Sequence, residues 1–290
     1  MTLKLHTPTQ LGELSLRNRI VMSPMTRTRN EPGHVPGALV VEHYADRADA
    51  GLIITECTSV SADASAFGDD PGIYNEAQIA GWKRVTDAVH AKGGLIALQI
   101  WHPGRATHPF INDGVVSISS TDRAIRDDGI NTPKGLVPQA NPRALRTDEI
   151  PGIVAQFKAG AENAKRAGFD AIQIHGAHGY LIDQFLRSSV NDRSDEYGGS
   201  IENRARFVLE VVDATIAAIG KDKVGIRVSP YGTFNDMPLY PEMEQDYAYL
   251  AEKLNAAGLA YVHLLDHSAG GAPPVPDSIK ATFRKVFKRT

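Results

Sequence analysis

His175, His178 and Tyr180 stand within six residues of one another, separated only by Gly176, Ala177 and Gly179. Imidazoles and a phenol donate hydrogen bonds to a polarised oxygen and carry protons, which is the equipment of acid–base catalysis. One such histidine would more often be a satisfied packing residue. Three proton-handling groups with small spacers, directly after an apolar run, read instead as a working site. The run is Ala171-Ile172-Gln173-Ile174, with the composition of a buried strand. Before it comes an amphipathic helical stretch with Ile153, Val154, Phe157, Ala161 and Ala164 on one side, stopped by Gly168. The unit is helix, glycine, strand, polar cluster. In sheets of parallel strands, catalytic groups collect at that C-terminal end.

Other chemistries fit the residues less well. His175 and His178 form an H-x-x-H pair, but metalloprotease pairs sit on a helix at spacing four with a glutamate between them. Here glycine and alanine intervene at a strand end and no acidic third ligand is evident, so no metal is assigned. No G-x-S-x-G elbow, no G-x-x-x-x-G-K-[ST] loop and no G-x-G-x-x-G after a strand occurs, which removes the serine-hydrolase elbow and nucleotide binding through those loops.

The elements that must position the cluster repeat along the chain. Short apolar runs at residues 19–23, 51–55, 95–101, 171–175, 224–229 and 261–266 have the continuous apolarity of strands buried on both faces. Helical segments lie between them. Residues 75–92 begin at a capping Asn75 with Gln78 in capping-box position, turn Ile79, Trp82, Val85 and Val89 inward, and stop at Gly93-Gly94. Residues 203–219 carry an apolar stripe, and residues 243–257 end at Gly258. Strand–helix alternation without hairpins predicts a parallel sheet with right-handed crossovers. Residues 102–147, rich in Pro, Gly, Asn, Asp and Arg, form an excursion after the third strand, with a small hairpin expected around residues 115–119. The spacing fits a TIM (β/α)8-type barrel, for which eight units take about 250 residues.

A barrel gathers the strand ends on one face. Pro24-Met25-Thr26 follows the first strand, Glu56-Cys57-Thr58 the second, Gln99-Ile100-Trp101-His102 the third, the histidine–tyrosine cluster the fourth, and Arg227-Val228-Ser229 the fifth. This inventory suits a planar, redox-active heterocycle. A flavin presents donors and acceptors along one edge, which a Gln amide and a Thr hydroxyl can meet, and a nearby Arg favours its anionic reduced form. Arg227 inside Val224-Gly225-Ile226-Arg227-Val228 needs a reason to be buried, and Gln99 does so more weakly.

The chain resembles the Old Yellow Enzyme family of FMN-dependent ene-reductases, in particular the N-ethylmaleimide and nitrate-ester reductase branch. The likeness runs from Arg17-Asn18-Arg19 and Ser23-Pro24-Met25-Thr26-Arg27 through Gly51-Leu52-Ile53-Ile54-Thr55-Glu56, Gln99-Ile100-Trp101-His102-Pro103-Gly104-Arg105 and Pro142-Arg143-Ala144-Leu145. It continues through the cluster at 175–180 to Asn191-Asp192-Arg193-Ser194-Asp195-Glu196-Tyr197-Gly198-Gly199-Ser200-Ile201-Glu202-Asn203-Arg204. The resemblance implies that Pro24, Met25, Thr26 and Cys57 line the flavin and that Gln99 and Arg227 hold its pyrimidine edge. It implies that His175 and His178 grip the substrate oxygen, His175 also beside the cofactor, and that Tyr180 protonates the α-carbon. Phe67 and Trp101 would shape the substrate pocket. The implied activity is NAD(P)H-driven reduction of electron-poor alkenes, namely α,β-unsaturated carbonyls, nitroalkenes and maleimides, and also of nitro or nitrate-ester compounds. Nicotinamide would enter the same open site, so no Rossmann motif is expected. Residues 191–204 read as a structural charge network.

The family has eight strands and this sequence shows six of the eight βα units, so the expectation is an incomplete barrel forming a single domain over residues 1–290. Two unclosed edges and no recognisable phosphate anchor would follow. Either the missing end is supplied by a complementing C-terminal fragment or protomer, or the chain is a catalytically silent fragment that needs such a piece to bind FMN. The rest of the composition is ordinary. With 290 residues, 42% hydrophobic, 22% charged and a net charge of −3, nothing favours nucleic acid or a membrane as partner. A lone cysteine and an N-terminus without an apolar core point to the cytoplasm.

Overall fold

The computed structural model describes residues 3–289. Six strands, β1 (Val21–Met22), β2 (Leu52–Ser59), β3 (Ile96–Trp101), β4 (Ala171–Gly176), β5 (Val224–Val228) and β6 (Tyr261–Leu264), pair in chain order, every neighbour parallel. Strands β2 to β5 are buried at every residue, which is why their sequences read as continuous apolar runs. Strands β1 and β6 are the two edges of the sheet. The end strands are shorter than the sequence predicts. At the β6 end Asp266 leaves the strand to accept the Ser268 and Val275 amides and to pair with Lys280.

Among the described residues seven α-helices run between and after the strands: α1 (Ala38–Ala45), α2 (Glu76–Ala91), α3 (Ile150–Arg166), α4 (Leu181–Leu186), α5 (Ile201–Ile219), α6 (Met243–Ala257) and α7 (Asp277–Val286). One face of the sheet packs on them. Leu98, Ile100, Ile172, Ile174, Ile226 and Val228 share the main core with Trp82, Val85, Phe157, Phe207 and Val211. The capping expectation for α2 holds in one half. Asn75 accepts the Gln78 amide at 2.9 Å, but the Gln78 carbonyl oxygen reaches past Asn75 to the Tyr74 N–H, while its nitrogen donates to Gly33 O. Helix α5 starts two residues earlier than predicted, because Ser200 is the residue whose side chain caps it.

The opposite face of the sheet is built in layers two residues apart, about 6.6 Å along a strand. The lowest layer is apolar. Ile54, Ala97 and Ala171 form it, and with Leu52 below and the Tyr261 ring above they meet Leu11, Leu14 and Leu16. Those leucines belong to an N-terminal hairpin, Thr9–Leu11 with Leu14–Leu16, that plugs this end. The sequence reading missed it, although Thr9-Gln10-Leu11-Gly12-Glu13-Leu14-Ser15-Leu16 alternates as a hairpin should. The next layer holds Gln99, Gln173 and the Tyr261 hydroxyl, and the uppermost Trp101, His175, Arg227 and His263. A bulge in β2, where the register passes from Ile54 opposite Ala97 to Cys57 opposite Gln99, brings Cys57 to this inner face.

The excursion after β3 differs from its expectation. Residues 115–119 form no hairpin. Ile118–Ser119 pairs in parallel with Arg143–Ala144, and the hairpin lies further on, between Ile130–Thr132 and Gly135–Val137. Gly135, with φ +93°, opens the second strand of that hairpin directly after the turn at Pro133-Lys134.

Candidate active site

The register aligns His175 with Arg227 and Arg227 with His263 on neighbouring strands. Above them the chain leaves β4 through a strained turn. His178 adopts φ +59° and Gly179 φ +69°. The turn is held from several sides. The His178 amide donates to Ser229 Oγ at 2.8 Å, Asn235 Nδ2 donates to His178 O at 2.8 Å, and the Gly179 amide donates to Asp183 Oδ2 at 2.9 Å. Gln184 Nε2 donates to Gly179 O at 2.7 Å and Pro103 O at 3.1 Å, tying the turn to the segment after β3. Tyr180, the residue before α4, then points back at the layer. Its ring meets Trp101 edge to face with centroids 4.5 Å apart and lies 5.1 Å from the His175 ring.

The histidines of this site are neutral, and the tautomer of His175 is constrained. Burial, then the neighbouring His178 and Arg227, holds the His175 pKa well below its ordinary value. The Ala177 amide donates to His175 Nδ1 at 3.3 Å, which leaves the proton of the neutral ring on Nε2. His178 is pushed down to about 3 by burial and by Arg227, and its buried Nε2 has no hydrogen-bond partner among the described residues. Burial raises the Tyr180 pKa, the Cys57 thiol adding to the effect and the Asn235 amide opposing it, so the phenol keeps its proton. Arg227 is pushed down to about 10 by burial and remains cationic at neutral pH, with its Nε buried and without a partner among the described residues.

The structure brings His175, His178, Tyr180, Trp101, Arg227 and Cys57 to one inner face. Phe67 stacks on Trp101 with centroids 5.7 Å apart and planes within 8°. Thr26 Oγ1 and Cys57 Sγ are 3.3 Å apart, so the segment after β1 reaches the same place. Pro24 is half-buried and Met25 exposed on that segment. Gln99 lies one layer deeper, its Nε2 donating to Gln173 Oε1 at 2.7 Å. A cavity of about 660 Å3 opens beside Tyr180, lined also by Phe67, Phe234, Asn235 and the hairpin residues Ile130 and Asn131.

Sequence reasoning missed the segment after β5. Tyr231, Asn235 and Asp236 all adopt positive φ, and Thr233 to Asp236 wall the cavity. The segment is fixed by Arg187, fully buried, which pairs with Asp183 at 2.9 Å and donates to Ser229 O at 2.5 Å and Gly232 O at 2.7 Å. Arg105 fixes it from the other side, donating to Asn235 O and Asp236 O. Residues 191–204 carry contacts of a structural kind, with Asn191 bridging Phe185 O and Tyr197 O and Arg204 paired with Asp246.

Comparison with known proteins gives this geometry a context. Residues 4–288 match the family described as NADH:flavin oxidoreductase / NADH oxidase. The chain is 46% identical over 267 residues to 12-oxophytodienoate reductase 1 of Oryza sativa subsp. japonica, covering 90% of this chain and 67% of that protein. It superposes on morphinone reductase in complex with tetrahydroNAD with a TM-score of 0.93 at 45% identity, covering 99% of this chain and 79% of the other. An old yellow enzyme homologue from Zymomonas mobilis gives a TM-score of 0.92 at 38% identity, covering 98% and 80%. None of these relatives supports the expected complementing fragment or protomer. The agreement in fold and in sequence extends over nearly the whole chain, and it makes the protein an oxidoreductase with FMN and a nicotinamide as cofactors, a member of the NADH:flavin oxidoreductase / NADH oxidase family to which Old Yellow Enzyme belongs.

Proposed function

We infer that the protein reduces carbon–carbon double bonds conjugated to a carbonyl or nitro group in small molecules, drawing electrons from NADH or NADPH. The observation that carries this reading is the meeting of two neutral histidines, a protonated buried tyrosine and a buried arginine on one inner face, with the tyrosine also lining the cavity. The residues fit the cofactor. The Arg227 Nε, without a partner among the described residues, offers a buried donor and a positive charge to an electron-rich heterocycle, and the Trp101 indole Nε1 on the same inner face also lacks a partner among them. Pro24, Met25, Thr26 and Cys57 would line the ring, with Gln99 and Arg227 at its polar edge. When bound, FMN supplies the hydride and takes its electrons from the nicotinamide.

The chain's own residues do the rest. His175 donates from Nε2, and His178 is free to donate from its unpartnered Nε2 in the matching tautomer. Two neutral donors on one substrate oxygen stabilise the negative charge that develops there as the β-carbon is reduced. They do so without giving up a proton to the product. Tyr180, with a pKa raised by burial, delivers the proton to the α-carbon as a general acid. Trp101 and Phe67 form the stacked aromatic wall against which a flat conjugated substrate packs.

The test is FMN uptake followed by turnover. The purified protein is expected to develop a bound-flavin visible spectrum on titration with FMN and to oxidise NADPH in the presence of 2-cyclohexenone or N-ethylmaleimide. A folded protein that takes up flavin yet reduces neither alkene would overturn the reading.

A further inference from the structure

Beneath the imidazole layer a chain of amide and hydroxyl groups crosses the inner face of the sheet. Gln99 Nε2 donates to Gln173 Oε1 at 2.7 Å, and Gln173 Nε2 reaches the Tyr261 hydroxyl at 3.2 Å and His263 Nδ1 at 3.4 Å. The register places Gln99 beside Gln173, Gln173 beside Gly225 and Gly225 beside Tyr261. A Cβ at position 225 would stand 2.3 Å from atoms of the Tyr261 ring, so the glycine is what lets that phenol cross β5 and meet Gln173. Gln99 is 1% exposed and Gln173 fully buried, so neither amide has bulk water to fall back on.

A buried primary amide can face either way, and its neighbours decide which. Tyr261 and His263 are the neighbours that face the Gln173 nitrogen here. Burial and the charge of Arg227 keep the His263 ring neutral, down at about 4, so one ring nitrogen is an acceptor, and with Gln173 Nε2 facing Nδ1 at 3.4 Å that nitrogen is Nδ1. Gln173 therefore turns its nitrogen toward β6 and its carbonyl toward β3. Gln99 must answer that carbonyl with its own nitrogen. What remains to Gln99 is its carbonyl oxygen, which accepts no hydrogen bond among the described residues. A fixed acceptor in this position selects a ligand edge that carries an N–H, and the imide N–H of the flavin pyrimidine ring is such an edge.

We propose that Gln173 is a positioning residue for flavin recognition, holding the Gln99 amide so that its carbonyl oxygen, and not its nitrogen, faces the cofactor. The proposal deepens the functional reading above and rests on it. Nothing in it requires Gln173 to touch the flavin.

The experiment is FMN binding, read by fluorescence quenching, in the unaltered protein, Gln173→Leu, Gln99→Leu and the double variant, with thermal melts to verify folding. Gln173→Leu is expected to weaken FMN by about 10-fold in the natural background and by less than about 2-fold when Gln99 is already leucine, because coupled neighbours are not additive. Gln173→Glu, whose protonated carboxyl can accept from Gln99 and donate to His263, should restore affinity to within about 2-fold of the unaltered protein. Gln173→Met, closer in shape, carries the same comparison if the leucine variant does not fold. Equal losses in both backgrounds, or no loss at all, would overturn the positioning role. A folded, unaltered protein that binds no FMN would instead remove the functional reading beneath it, and the two failures are told apart by that first titration.

Discussion

Trp101 and Tyr180 meet with their ring planes at 90° and their centroids 4.5 Å apart, so the tyrosine is held by its ring and leaves its hydroxyl to do something else. Such an edge-to-face pair is worth about 0.5–1.5 kcal/mol beyond the area it buries. Tyr180→Phe keeps that contact and removes only the oxygen. Alkene reduction is expected to slow by about 10²-fold or more, the usual contribution of a positioned acid. Reduction of bound flavin by NADPH should stay within about 2-fold, since no proton from Tyr180 enters that step by the role assigned here. Stopped-flow measurement of the two half-reactions separates them, and an equal fall in both would remove Tyr180 from the role of proton donor.

Arg187 and Asp183 are a fully buried ion pair that fastens the turn after β4 to the segment after β5. Arg187→Met leaves the Asp183 carboxylate without its counter-charge and the Ser229 and Gly232 carbonyls without their Arg187 donor. Breaking a buried pair on one side typically costs about 3–5 kcal/mol. Urea denaturation should show that loss. A change below about 1 kcal/mol would mean that water reaches the pair in solution.

Gly179 sits where a side chain has no room. Its φ is +69°, and a Cβ there would lie 2.6 Å from Met237 Cγ and 2.7 Å from Phe234 O. Gly179→Ala is expected to push the segment carrying Phe234 and Asn235 away from the cavity, raising KM for alkenes several-fold while lowering stability by about 1–2 kcal/mol. Steady-state kinetics across a series of alkene sizes would test this. An unchanged KM for every size would show that the segment does not wall the substrate.

His102 predicts a pH dependence of stability. Burial pushes its pKa down to about 4, and its Nε2 is buried without a partner among the described residues. An unfolded histidine titrates near 6.5, so between about 6.5 and 4 the unfolded chain binds a proton that the folded one refuses. Stability is therefore highest above that window and falls as the pH drops through it, by up to about 1.4 kcal/mol per pH unit for one group. Glu56 and Asp70, whose pKa values burial raises, act in the opposite direction, so the informative quantity is a difference between proteins. His102→Gln should flatten the slope of unfolding free energy against pH between 4.5 and 6 by about 1 kcal/mol per unit. An identical slope in both proteins would show that His102 is not held neutral.

Much of this was readable before any coordinates. The strands carry their burial as continuous apolar runs, and the groups that interrupt those runs, Gln99, His175 and Arg227, are the ones that face inward together. What the residues could not reveal are relationships made by distant segments. Gln173 looked like part of an apolar strand, because its partners Gln99, Tyr261 and His263 lie on other strands. The one glycine of the segment after β5, Gly232, is not where its positive φ values fall, which is at Tyr231, Asn235 and Asp236; Arg187 and Arg105 hold the segment from outside it. The hairpin at Ile130–Thr132 and Gly135–Val137 competed with an equally alternating stretch at 115–119, and local pattern alone cannot choose between the two.

Position 225 has an unusual kind of freedom. The strand that holds it contributes nothing at that height, and this vacancy is what joins its two neighbours, β4 and β6, through Tyr261 and Gln173. Any other residue there would fill the space and sever the link. The chain can add volume to that layer or keep its two sides in communication, but a single side chain cannot do both.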